Sequence, residues 1–167
     1  MNDKIEFNEG DFVVYPAHGV GKIEGIETLT LSDQEIKLYA ISFDKERMKI
    51  KVPISRVESS GLRKISSKEH IQTALETLQS KSKIKRGMWS KRAQEYETKI
   101  NSGDPIAIAE VLRDLKRRPE EQAEQSFSER QIYQSALERL AREFAAIEAL
   151  EEEKASNHLK AIIEKSF

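Results

Sequence analysis

Residues 48–52 read Met-Lys-Ile-Lys-Val, so Met48, Ile50 and Val52 alternate with Lys49 and Lys51. Period two is the pattern of a strand with one buried face. The alternation recurs upstream, where Ile23 and Ile26 sit among Lys22, Glu24 and Glu27. Strands are expected at about 11–15, 20–30, 36–43 and 47–53, with a stub near 56–58. Turn residues fall at Pro16–Gly19, Ser32–Asp33 and Asp44–Glu46. About fifty residues of short antiparallel strands point to a small barrel that closes most of its edges and leaves one strand open to a partner's strand.

From Ser66 the period becomes helical. A helix over about 67–80, capped by Ser66 or Ser67, carries Ile71, Ala74, Leu75 and Leu78 on one face. A second, about 88–101, ends at Asn101-Ser102-Gly103, after which Asp104 caps a third and Pro105 takes its first turn. That third helix buries Ile108, Val111, Leu112 and Leu115, finishes on Lys116, Arg117 and Arg118, and is stopped by Pro119. Ser126-Phe127-Ser128-Glu129 fits a capping box ahead of a helix to about 149, marked by Tyr133, Leu137, Leu140, Phe144 and Ile147. A fifth, about 151–165, carries Leu159, Ile162 and Ile163. No Gly or Pro divides the last two, so one bent helix is the alternative to a break before Glu151-Glu152-Glu153. The fold class is α+β, with a small β-barrel over residues 1–62 and an all-helical domain of about five helices over residues 66–167.

The 167 residues, 38% hydrophobic, suffice for two small cores. With no apolar run near the ~18 residues of a membrane span, and no charged-then-apolar leader, a cytoplasmic protein without membrane contact is expected. The absence of cysteine excludes disulfides, thiolate metal sites and a cysteine nucleophile. The net charge of −1 conceals a segregation. Residues 1–60 carry 8 Lys/Arg against 11 Asp/Glu, residues 61–118 carry 14 against 7, and residues 119–167 carry 6 against 11. A basic middle between acidic ends points to a polyanion-binding surface confined to one part of the molecule.

The cations concentrate at Lys81 to Arg92, K-S-K-I-K-R-G-M-W-S-K-R, where Lys81, Lys83, Lys85, Arg86, Lys91 and Arg92 surround the single tryptophan, Trp89, with no carboxylate among them. Such cations neutralise phosphates, and an indole beside them stacks on a base or wedges into a groove. Spacing offers a plainer reading: Trp89, Ala93, Tyr96 and Ile100 recur at i, i+4, i+7 and i+11, a buried helical stripe. On spacing alone the core reading is favoured.

Enzyme signatures are missing. His18, His70 and His158 lie in three different expected elements without metal-ligand spacing. Gly19-Val20-Gly21 lies between strands, with no following helix to cradle a phosphate, and reads as a turn. The carboxylates sit mostly on helix faces near Lys or Arg, and none stands out as a general acid or base. A non-enzymatic protein needing no cofactor or small-molecule substrate is expected.

The segment V-V-Y-P-A-H-G-V-G-K-I, Val13 to Ile23, resembles the opening of the CarD/CdnL family of bacterial transcription regulators. Lys51-Val52-Pro53, Trp89-Ser90-Lys91-Arg92, Ser102-Gly103-Asp104 and the stretch from Ala109 to Arg118 extend the resemblance in order along the chain. The resemblance implies a Tudor-like barrel that binds the β subunit of RNA polymerase, and a helical domain that touches promoter DNA at the upstream edge of the melted bubble. It makes Trp89 a minor-groove wedge with Lys91 and Arg92 on phosphates, and leaves Ala93, Tyr96 and Ile100 as the buried stripe. Lys85, Arg86, Arg117 and Arg118 are further candidates for the DNA contact, and Leu29, Lys49 and Lys51 for the polymerase contact. Some family members carry arginine where this chain has Leu29 and Lys51, so bidentate guanidinium contacts are lost while strand addition through backbone groups survives. Two other functions fit the residues: a protein-protein adaptor whose basic loop merely solvates a packed Trp89, and a nonspecific duplex DNA-binding protein.

Overall fold

Alternating side chains put Val13, Ile23, Ile41 and Val52 on one face of a sheet, each 5% exposed or less. The computed structural model describes residues 6–43, 47–83 and 87–167. The chain divides into two compact units, Met1–Ile65 and Ser66–Phe167. In the first, β1 (Phe12–Tyr15), β2 (Gly19–Leu31), β3 (Gln34–Phe43), β4 (Met48–Pro53) and β5 (Arg63–Lys64) form an antiparallel sheet in the order β4-β3-β2-β1-β5. Phe7, Tyr39, Phe43, Val57 and Leu62 complete its core. The Phe7 ring meets Tyr39 edge-on at 5.4 Å, and its backbone N–H donates to the Tyr39 hydroxyl.

Ser32 and Asp33 both have positive φ, 47° and 65°. This is the two-residue hairpin turn whose twist matches that of the flanking strands. The turn expected at Asp44–Glu46 lies outside the described residues. The strand stub expected near 56–58 is helical instead, a 3-10 turn at Ile54–Arg56 followed by one helical turn, α1 (Val57–Ser60). The hydroxyls of Ser59 and Ser60 donate back to the carbonyls of Arg56 and Val57, at 3.1 and 2.7 Å, and favour the turn over a strand. The fifth strand follows at Arg63–Lys64. Gly19, Val20 and Gly21 belong to β2 rather than to a turn; a Cβ on Gly21 would lie 2.8 Å from both Ile41 Cγ2 and Phe43 Cε1.

The second unit contains α2 (Lys68–Gln79), α3 (Trp89–Asn101), α4 (Pro105–Leu115), α5 (Phe127–Glu148) and α6 (Glu152–Lys165), with a 3-10 turn at Pro119–Glu124. Ser67, Asp104 and Ser126 cap α2, α4 and α5 by accepting from the N–H groups of His70, Ile106 and Glu129. Ile71, Leu78, Ile108, Leu112, Leu137, Leu140 and Leu159 form one core. Tyr133 and Ile147 lie on its rim, while Ile132, one residue away from the expected stripe, is buried. Ala149, at φ 53°, breaks the chain between α5 and α6, so these are two helices. The end of α4 differs from expectation. The helix stops at Leu115, Lys116 is already extended (ψ 139°), and Pro119 opens the 3-10 turn instead of stopping a helix.

Two outcomes follow from this packing. Gly21→Ala overpacks Ile41 and Phe43 and is expected to cost about 1–3 kcal/mol, read as a lower urea midpoint for the sheet unit. Burial pushes the Tyr133 phenol up to about 12 from 10.0. Above pH 10 the unfolded chain releases this proton while the fold keeps it, so stability is full below pH 10 and falls by up to about 2–3 kcal/mol as pH rises to 12. Denaturation against alkaline pH should show that loss, and Tyr133→Phe should remove that share of it.

Candidate nucleic-acid interface and partner-binding sheet face

Trp89 is the first residue of α3. It is half-buried on the rim of the helical core, with Ala93 half-buried and Tyr96 and Ile100 buried behind it. Its burial is neither that of a core residue nor that of a free side chain. The indole Nε1 donates to Ser128 Oγ at 3.2 Å, tying the start of α3 to the start of α5. The Arg92 guanidinium lies 5.4 Å from the Trp89 ring and 5.8 Å from that of Tyr96, and Nη2 donates to the Tyr96 hydroxyl at 3.3 Å. Arg92 Nε is buried without a hydrogen-bond partner among the described residues, which costs stability unless a ligand or water satisfies it.

The other expected DNA contacts are distributed unevenly. Lys91 is exposed beside Trp89. Arg117 reaches the same corner, its Nη2 3.6 Å from Glu129 Oε2, so the capping-box glutamate holds a cation as well as its own N–H bond to Ser126. Arg118 is exposed at the head of the 3-10 turn. Lys85 and Arg86 lie outside the described residues. The reading of Lys116 to Arg118 as cations on the last turn of their own helix is corrected by where α4 ends.

Lys116 serves other helix ends. Its Nζ donates to the carbonyls of Leu78 and Ser80, where α2 finishes, and to Ser166 Oγ after α6. Burial, and then the nearby Arg113, lower its pKa below the ordinary lysine value, with the Asp114 carboxylate acting the other way. Buried Asp114 accepts from Arg113 Nε at 2.9 Å and from the Lys83 backbone N–H at 2.8 Å, while its carbonyl takes the Ser82 hydroxyl. The start of the cationic stretch is thus fastened to the end of α4. The sequence does not reveal these roles of Ser128, Asp114 and Lys116, because each involves a partner more than 30 positions away.

On the sheet, Leu29 pairs with Ile36, Lys51 with Ala40 and Lys49 with Ser42. Ile36, Ala40 and Ser42 alternate along β3 with the core residues Tyr39, Ile41 and Phe43, so Leu29, Lys49 and Lys51 share the outward face. Both lysines are already paired, Lys49 with Glu24 at 3.1 Å and Lys51 with Glu27 at 2.7 Å. They lie on β4, an edge strand of the sheet. Residues 28–37 extend past the paired parts of β1 and β4 as a two-stranded ribbon, with Leu29 and Leu31 45% and 54% exposed.

Each histidine has a packing or capping role. His18 stacks on Tyr15, His158 lies against Phe144, and His70 Nε2 is 3.2 Å from Asp104 Oδ1. Among the described residues no cluster of His, Cys, Asp or Glu could hold a metal ion, and no helix is long and apolar enough to cross a membrane.

Residues 7–66 match the family model "CarD-like/TRCF RID domain", and residues 73–160 match "CarD, C-terminal domain". The chain is also 30% identical over 146 residues to the Bacillus subtilis (strain 168) protein named "Putative transcription factor YdeB", an alignment spanning 87% of this chain and 95% of that protein. With one model on the sheet unit, another on the helical unit and a relative matched along nearly its whole length, the chain belongs to the CarD family of transcription factors.

Proposed function

We propose that this protein tethers itself to the β subunit of RNA polymerase through its sheet unit and lengthens the life of the open promoter complex through Trp89. The observation that carries the reading is the state of that indole. It is held by Ser128 and Arg92, only half-buried, and has the exposed Lys91 beside it. A ring fixed in this way keeps a surface for an unstacked base step at little further entropic cost. Lys91 and Arg92 supply phosphate contacts, with Arg117 and Arg118 behind them. The wedge resists reclosing of the upstream bubble edge, a contact made only to melted DNA.

The tether reading is supported by the RID model, which denotes an RNA polymerase-interacting domain, and by the position of β4 at an edge of the sheet among the described residues. Backbone groups of an edge strand pair with a partner strand whatever the side chains are. Leu29, Lys49 and Lys51 then add an apolar contact and two lysines whose charges Glu27 and Glu24 already offset. The result is a non-enzymatic regulator that draws specificity from the polymerase and from DNA shape.

Trp89→Ala tests the wedge. A half-buried ring with one hydrogen bond is expected to cost about 1–2 kcal/mol, less than deletion of a fully buried aromatic, so the protein stays folded. The half-life of promoter open complexes should fall while polymerase binding is retained; a destabilised variant with unchanged half-lives would sink the mechanism. Lys91→Ala should reduce the salt slope of DNA binding by about one phosphate's worth without a change in melting temperature. Arg92→Ala should reduce the slope similarly but also lower the melting temperature, because the guanidinium stacks on two rings.

A further inference from the structure

Two large apolar side chains at the Trp89 corner lie in solvent, and the fold does not require them there. Met88 is 77% exposed and Phe127 is 69% exposed, the highest values among the large hydrophobics of the described residues. Each stands one residue before a partner of the Trp89–Ser128 hydrogen bond. Both therefore belong to the place where α3 and α5 begin.

Neither is placed by capping or by packing. Met88 occupies the N-cap of α3 and offers no side-chain cap bond, at a position where Ser, Thr, Asp or Asn would stabilise the helix. Phe127 follows the capping Ser126 and points away from the core that Ile132, Ala136 and Leu137 enter. A phenylalanine and a methionine beside a half-buried tryptophan make an apolar tip with cations around it. Lys91 and Arg130 are exposed, and Arg117 is held nearby on Glu129. An apolar protein partner would be poorly matched by that cationic rim. A duplex that exposes an unstacked base step between two lines of phosphate matches both parts.

We propose that Met88 and Phe127 are further wedge residues, and that with Trp89 they form a three-residue apolar tip entering the minor groove of promoter DNA at the opened step. The inference rests on the DNA contact proposed above. It adds that the indole does not act alone and that the start of α5 is part of the DNA-binding surface.

The test uses the full-length protein on open promoter complexes of its own polymerase. Met88→Ala, Phe127→Ala, the double variant and Trp89→Ala are compared for complex half-life, salt slope and melting temperature, with Phe127→Leu as the conservative control. The double variant should shorten the half-life by at least about tenfold, the change that loss of even one large buried apolar group brings. Its melting temperature should stay unchanged, since solvent-exposed side chains carry little stability. The salt slope should also hold, because apolar contacts release no counterions. Phe127→Leu should restore much of the half-life lost in Phe127→Ala. Normal half-lives in the double variant, with Trp89→Ala impaired, would confine the wedge to the indole and overturn this inference alone. Normal half-lives in Trp89→Ala as well would overturn the DNA reading on which it rests. A shift in sedimentation with unchanged half-lives would assign the tip to self-association and likewise overturn it.

Discussion

The buried carboxylate of Asp114 is the constraint on which the end of the helical unit that carries the candidate site depends. It receives the Arg113 guanidinium and the Lys83 N–H, and two residues later Lys116 gathers the last carbonyls of α2. Removing one partner of such a buried pair leaves the other charge uncompensated, at a cost on the order of 3–5 kcal/mol. The cationic stretch therefore starts from a fixed point, although its own residues repel one another.

The two units use charge in opposite ways. On the outward sheet face Lys49 and Lys51 are matched by Glu24 and Glu27, so the face is locally neutral and its distinguishing feature is the apolar ribbon end with Leu29 and Leu31. At the start of α3, Lys91 stands exposed and Arg92 is spent partly on ring stacking. If the two surfaces bind as proposed, salt acts on them unequally. Contacts made by backbone pairing and aliphatic side chains vary little with ionic strength, while phosphate contacts weaken steeply.

Much of the fold was legible because local chemistry and tertiary packing agree. The period-two runs, the Ser32–Asp33 turn, and the caps at Ser67, Asp104 and Ser126 all occur where the residues place them. Residues 56–58 are helical rather than a strand because the Ser59 and Ser60 hydroxyls satisfy the Arg56 and Val57 carbonyls, which β-propensity does not register. The end of α4 is not legible locally, because Lys116 has partners on α2 and after α6 that no window of sequence contains. At the candidate site the type of residue was legible and the arrangement was not. Periodicity found the Trp89 stripe, yet only the fold shows that the stripe's first member sits half out of it, held from another helix. Met88 and Phe127 gave no signal, since a single apolar residue at a helix start is common.

The attachment of Trp89 has a spectroscopic consequence. It is the chain's single tryptophan, so the protein's indole emission comes from this ring alone. The ring sits between water and core, donates to one hydroxyl and has a guanidinium 5.4 Å away, and all three surroundings would change together on stacking against a base. The molecule thus carries its own optical reporter at the position where nucleic acid is proposed to enter. If nucleic acid stacks there as proposed, wavelength and intensity of that emission would follow its occupancy without any label.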